Sequence, residues 1–239
     1  ISPRTAPLSA GCGVTRGSMA NPSFLFCRAC PARSIRKKTY LSHVYEGDEQ
    51  YMSKPTDSLN LFEKTLSRDV RFQGRIINLR VDEAELPNGR TAKREVVEHP
   101  GGVCIAALTD ADELLFVRQF RYPYGEVLEE LPAGKLERGE DPLEAGKREL
   151  KEETGASAER YVSLGKLYPS PGYCGEIIHL YLATGLSFGE MNPDEDEFLE
   201  AERVPLEEAV RRVMANDLTD AKTQTAVLKA YLMKQRGEI

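Results

Sequence analysis

From residue 62 onward, apolar and polar residues recur at strand and helix periods, punctuated by turn residues. "GRIINLRVDEAELPNGRTAKREVVEHP", residues 74–100, predicts two strands joined at Pro87-Asn88-Gly89, a strong hairpin signal. "GGVCIAALTD" and "ELLFVRQFRY" follow as strands around the turn Asp110-Ala111-Asp112, and "EVLEELPAG" as a short strand ending at Pro132. A helix then opens at Asp141-Pro142, with Asp as N-cap and Pro in the first position, and stops at Gly155. "YVSLGKLYPS" and "EIIHLYLATGL" are strands parted by the turn "PSPGYCG", and "FLEAERV" is a strand beyond the acidic loop "NPDEDE". Two closing helices run from Pro205 to about Asn216 and from Thr219 to about Arg236. In the last one Ala226, Leu228, Ala230, Tyr231 and Leu232 supply the apolar surface. Strands predominate, one long helix is inserted among them, and helices close the chain. This is an α+β fold, an α/β/α sandwich, and not a βαβ parallel array.

The first 51 residues break this pattern. "ISPRTAPLSAGCGVTRGSMANPSFLFCRACPARSIRKK" has no acid and no sustained period. It reads as a disordered extension, as an organelle-targeting peptide, or as translated sequence upstream of a start at Met52, where the globular pattern begins. The expected division is therefore an extension over 1–51, a hairpin subdomain over 52–100, and a main domain over 101–239.

Charge sharpens the division. The chain carries a net −6, yet residues 1–51 hold seven Lys or Arg against three acids, leaving −10 on the remainder. A body that acidic has no broad basic surface for nucleic acid. No apolar run reaches the roughly 18 to 20 residues that span a bilayer, so no membrane helix is expected. Five cysteines at irregular spacing do not describe a disulfide framework and suit a reducing compartment, hence the cytoplasm. Cys27 and Cys30 form a lone CxxC, a weak metal or redox signal, and Cys104 sits in an apolar run as a small core residue.

The chemistry concentrates in "GKLERGEDPLEAGKRELKEETGA", residues 134–156. At about 100° per residue, Glu152 lies roughly 60° to one side of Glu149 and Glu153 roughly 40° to the other. Three carboxylates thus share one helical face, where like charges repel by a few tenths of a kcal/mol per pair. A solvated acidic face tolerates that cost, and a bound divalent cation removes it. Hard ions such as Mg²⁺ take oxygen ligands: Glu149 and Glu153, at i and i+4, suit one ion, with Glu152 at the flank for a second. Leu143 and Leu150 lie on a neighbouring stripe and anchor the helix to a sheet. Arg148 orients a carboxylate by a charge-assisted hydrogen bond, Glu140 bonds across the loop, and Gly134 and Gly155 relieve backbone strain at the two ends.

Written with its spacing, the stretch is Gly134-x5-Glu140-x7-Arg148-Glu149-Leu150-x-Glu152-Glu153-x-Gly155-Ala156. It resembles the signature of the Nudix hydrolases, with every specified position filled in order. The resemblance implies metal-dependent hydrolysis of a diphosphate linkage between a nucleoside and another group. It implies Mg²⁺, with Mn²⁺ as a substitute, and a further metal ligand from the backbone carbonyl of Ala133. "VRQFRYPYGEVLEELPAGKLERGE", "YPSPGYCGEIIHLYLA" and "ELPNGRTAKREVVEHPGG" are similar to the bacterial ADP-ribose pyrophosphatase branch, as is Pro171, sixteen residues past Gly155. The likeness covers about residues 60–237.

Within that branch the likeness makes Arg121 a phosphate contact and places Arg94 and Glu95 at the adenine end, reaching across a homodimer with exchanged amino-terminal strands. Glu195 and Glu197 match a loop that supplies a further metal ligand and a general base, a role Glu152 also suits. Glu130 occupies a matched position whose role stays open. His99 and His179 are expected to be structural, and Tyr122, Tyr124 and Tyr173 either stack on a base or pack. The leading expectation is hydrolysis of ADP-ribose to AMP and ribose 5-phosphate. The alternatives are another nucleoside diphosphate sugar or a damaged nucleotide as substrate, and a catalytically silent ADP-ribose sensor.

Overall fold

The computed structural model describes residues 60–192 and 198–239. The expectations for residues 1–51, including Cys27 and Cys30, the start at Met52, and the roles of Glu195 and Glu197 all lie outside them.

The chain first forms β1 (Lys64–Gln73), β2 (Asn78–Glu85) and β3 (Thr91–Glu98), an antiparallel sheet in that order. β2 and β3 are the expected hairpin, closed by Gly89 at φ 78° with Leu86 and Arg90 bonded across the turn. β1 was missed: every residue of "KTLSRDVRFQ" is exposed, so no buried face marks the segment and pairing with β2 alone defines it.

β4 (Gly102–Ala107), β5 (Glu113–Arg121), β6 (Glu126–Glu130), β7 (Ala133–Lys135), α1 (Pro142–Thr154), β8 (Ala156–Leu167), β9 (Ile178–Phe188), β10 (Leu199–Pro205), α2 (Leu206–Met214) and α3 (Ala221–Gln235) follow. They make a mixed sheet β7-β4-β9-β8, in which β4 and β9 run parallel, and a second antiparallel sheet β10-β5-β6. β4 is buried on both faces, which explains its unbroken apolar run. Val103, Ile105 and Ala107 join Ala145 and Leu150 of α1 in one core cluster. Cys104 and Ala106 join Ala226, Val227 and Ala230 of α3 in the other. The period of two thus places a helix on each side of the sheet, an α/β/α sandwich.

Three local expectations are corrected. The strand expected to run to Pro132 stops at Glu130, and the chain re-enters the other sheet as β7. Pro132 has no N–H to donate, and the break falls there. Leu150 is buried as expected, but Leu143 is only half-buried, and Ala145 and Gly146 complete the anchor in its place. A methyl group at Gly146 would sit 2.6 Å from Ile105 Cδ1, so the close approach of α1 to β4 depends on glycine there. On α3, Leu232 is largely exposed, and Val227 takes the core position.

Candidate active site

The ends of α1 fix which of its residues face the sheet. Asp141 Oδ1 accepts from the N–H groups of Leu143 (2.9 Å) and Glu144 (3.2 Å), with Pro142 in the first helical position. Gly155 closes the helix at φ 69°, its N–H donating to Lys151. Within that frame Glu149 and Glu153 turn inward and are 7% and 2% exposed. Burying carboxylates is costly unless the environment supplies donors and charge.

Strand β7 supplies part of that environment. Ile105 N–H bonds Pro132 and Leu136 N–H bonds Gly101, so alternate residues of the β4–β7 ladder are the hydrogen-bonded ones. Ala133 and Lys135 fall between them, and their N–H and C=O groups face away from β4. Ala133 N–H accordingly donates to Glu153 Oε2 at 2.9 Å. Gly134 lies under the other carboxylate: a methyl group there would be 1.9 Å from Glu149 Cδ. Its φ is not positive, so the glycine serves close approach and not the expected relief of strain.

Arg148 gathers the remaining carboxylates. It donates to Glu140 Oε1 (3.1 Å) and Glu152 Oε2 (2.9 Å), and its Nη1 lies 2.9 Å from Glu149 Oε1. Glu140 also accepts from Glu137 N–H, tying the loop to the helix. The hydrogen bond from Arg148 holds the Glu140 carboxyl below its ordinary pKa, and the same pairing raises that of the guanidinium.

The donor set fits a hard divalent cation. It consists of oxygens alone, from three carboxylates on one helix and an outward-facing carbonyl on a strand edge. Among the described residues no three acidic, histidine or cysteine side chains stand close enough to enclose one ion. Glu152, which would have to contribute, is turned to Arg148.

This corner lines a cleft of about 810 Å³, shared by Ala133, Gly134, Arg148 and Glu149 with Arg121 and Lys222. Arg121 meets Glu130 through two parallel hydrogen bonds of 2.7 Å, and Lys222 Nζ bonds the same carboxylate. Burial pushes the Glu130 pKa up, but the Arg121 hydrogen bonds and the charges of Lys222 and Arg121 outweigh it and leave it at about 2. Burial disfavours the Lys222 ammonium, and Asp220 with Glu130 more than restores it. His99 also lines the cleft, its Nδ1 accepting from Gly101 N–H.

Other expected site residues lie elsewhere. Arg94 and Glu95 are on β3 and do not line this cleft; Arg94 pairs with Glu63 at 2.7 and 2.8 Å. The chain approaches the acidic loop at Asn192, whose N–H bonds the Glu152 carbonyl at 3.0 Å. Sequence reasoning missed Lys222 and left Glu130 open. A signal for Lys222 was present: it is the second residue of a helix capped by Asp220, where the macrodipole opposes a cation.

Comparison with known proteins yields two family matches: the NUDIX domain over residues 97–226 and the nucleoside diphosphate sugar hydrolase N-terminal domain over residues 63–97. The chain is 44% identical over 183 residues to the ADP-ribose pyrophosphatase of Bacillus subtilis, covering 74% of this chain and 99% of that protein. It is 46% identical over 177 residues to the methanol dehydrogenase activator of Bacillus methanolicus, covering 73% and 95%. A crystal structure of an ADP compounds hydrolase superposes with a TM-score of 0.66 at 25% identity, covering 77% of this chain and all of that one.

Proposed function

The chain belongs to the Nudix hydrolases, and on that premise we propose that it hydrolyses the diphosphate bond of ADP-ribose, adding one water to yield AMP and ribose 5-phosphate. One observation carries the proposal: Glu149 and Glu153 seat their carboxylates against Ala133-Gly134, and Glu149 shares with Arg121 the cleft that this edge lines.

Glu149, Glu152, Glu153 and the Ala133 carbonyl would hold Mg²⁺, with Mn²⁺ as a substitute and Glu197 as a further ligand. When bound, the metal polarises a phosphoryl oxygen and lowers the pKa of a coordinated water. The chain's own residues do the rest. Arg121 draws in the diphosphate oxygens. Arg148 holds Glu140, Glu149 and Glu152 in one register, and Glu152, Glu195 or Glu197 takes the proton of the attacking water.

The second half of the site comes from a second subunit. The hairpin subdomain, residues 52–100, carries Arg94 and Glu95 to the adenine end of the neighbour's ligand. The support is the exposed apolar surface of this region, with Leu66, Val70 and Phe72 each at least 45% exposed. Among the described residues no helix is long and apolar enough to cross a membrane. The irregular cysteines favour a reducing compartment, the cytoplasm.

A second reading rests on the amino-terminal match, which is to nucleoside diphosphate sugar hydrolases as a class. A wider substrate range follows from it. A silent sensor is disfavoured, because Glu149, Glu152 and Glu153 are all retained. Purified protein incubated with ADP-ribose, other nucleoside diphosphate sugars and dinucleotides, with and without Mg²⁺, separates these readings. The expected result is Mg²⁺-dependent release of AMP and ribose 5-phosphate. Preference for a different sugar would overturn the substrate, and binding without turnover would overturn the activity.

A further inference from the structure

We propose that Lys222 is a positioning residue for diphosphate binding: mostly buried in the cleft wall beside Arg121, it keeps the carboxylate of Glu130 beneath them shared between two cations, so that Arg121 meets the cleft as a fixed and effective positive charge. This deepens the reading of Arg121 as a diphosphate contact and rests on it.

The cluster is layered from interior to cleft. Glu130 is 2% exposed, Lys222 11%, and Arg121 36%. Arg121 spends Nε and Nη2 on Glu130, leaving Nη1 outside that pair. Were Glu130 a partner of Arg121 alone, its full charge would oppose any anion approaching the guanidinium. Lys222 takes up part of that charge and is itself held by Asp220 Oδ1 at 3.0 Å.

The same turn of α3 also fixes backbone. Thr223 Oγ1 accepts from Leu131 N–H at 2.9 Å, while Thr223 N–H donates to Asp220 Oδ2. Glu130 and Leu131 immediately precede the Pro132-Ala133-Gly134 edge on which Glu149 and Glu153 rest. Lys222 and Thr223 therefore clamp one side of this segment and α1 the other. A buried ammonium at a helix N-terminus is unfavourable on two counts, desolvation and the macrodipole. Apolar packing would stabilise such a place at least as well. An ionic cluster with its only well-exposed cation in the cleft is suited to a ligand.

The test uses the full chain and inorganic pyrophosphate as probe, with binding measured by calorimetry in Mg²⁺-free buffer. Every nucleoside diphosphate sugar contains the same P–O–P linkage, so the result does not depend on the preferred sugar. Lys222→Met should raise the pyrophosphate Kd about tenfold, the effect of losing one charge-assisted contact. Lys222→Arg should stay within about twofold, because the charge is restored. In an Arg121→Gln background, Lys222→Met should add nothing further. Two effects that multiply would show that Lys222 does not act through Arg121 and would overturn the proposal, as would an unchanged Kd in Lys222→Met. If Lys222→Met fails to fold by circular dichroism, Lys222→Gln, which keeps a donor to Glu130 and loses the charge, carries the same cycle. Wild-type protein that binds pyrophosphate but leaves ADP-ribose intact overturns the substrate and not this role. Wild-type protein that binds no pyrophosphate overturns this role.

Discussion

Gly134 and the carboxylate of Glu149 compete for the same space: a methyl group at 134 would lie 1.9 Å from Glu149 Cδ and 1.9 Å from Oε1. The strand edge therefore acts as a seat for the carboxylate, open only to glycine. Gly134→Ala should displace Glu149 and lower kcat/KM by up to about a hundredfold, as for loss of a group that orients a metal ligand. Far-ultraviolet circular dichroism should be unchanged, since Gly134 has no special backbone angle. Activity within a few fold of wild type would show that Glu149 need not sit there.

Glu153→Gln tests the ligand assignment directly. The amide oxygen can still accept from Ala133 N–H, so the fold should hold while a metal-binding charge is lost. Turnover at saturating Mg²⁺ should fall about a thousandfold, equivalent to the several kcal/mol a bound metal supplies. Unchanged turnover would remove Glu153 from the ligand set. Glu197→Gln should cost less, because Glu195 can share its role.

The Glu130 cluster sets a pH dependence of stability. Its carboxyl lies at about 2 in the fold against an ordinary 4.5, so the folded pKa is depressed. The contribution is fully present above about pH 4.5 and is lost as pH falls toward about 2. It amounts to something on the order of 3 kcal/mol. Glu130→Gln removes it, so the stability gap between wild type and variant should be wide near neutrality and narrow across that acid window. Urea denaturation at a series of pH values reads this out. A gap independent of pH would show that Glu130 is not held ionised by its cations.

The homodimer proposal makes two expectations. Sedimentation at micromolar concentration should give a dimer, and Val70→Glu on the exposed strand β1 should shift it toward monomer with loss of activity. A mixed dimer carrying Arg94→Ala in one subunit and Glu153→Gln in the other should keep about half the activity, because shared sites collect both lesions in one place. Activity far below half would mean that each subunit uses its own Arg94.

Much of this protein is legible along the chain. Asp141-Pro142 and Gly155 delimit α1 because capping is a local matter of backbone donors and a left-handed terminal residue. The Asn88-Gly89 hairpin and the buried run of β4 are legible for the same kind of reason, a turn geometry and an unbroken apolar stretch of strand length. Exposed β1 was not legible, because pairing with β2 leaves no mark on its hydrophobic pattern.

The spacing of Glu149, Glu152 and Glu153 determined by itself that three carboxylates share a helical face, since that follows from residues per turn. Tertiary structure decided what each one meets. Ala133 N–H reaches Glu153 because the ladder between β4 and β7 leaves that residue facing outward, a parity no local rule reports. Gly134 lies beneath Glu149 for want of room, not for want of a dihedral angle. Lys222 comes to Glu130 from 92 residues away because α3 packs on the far side of the sheet. Contacts of that kind depend on how layers stack, and a burial pattern records that a residue is covered without recording by what.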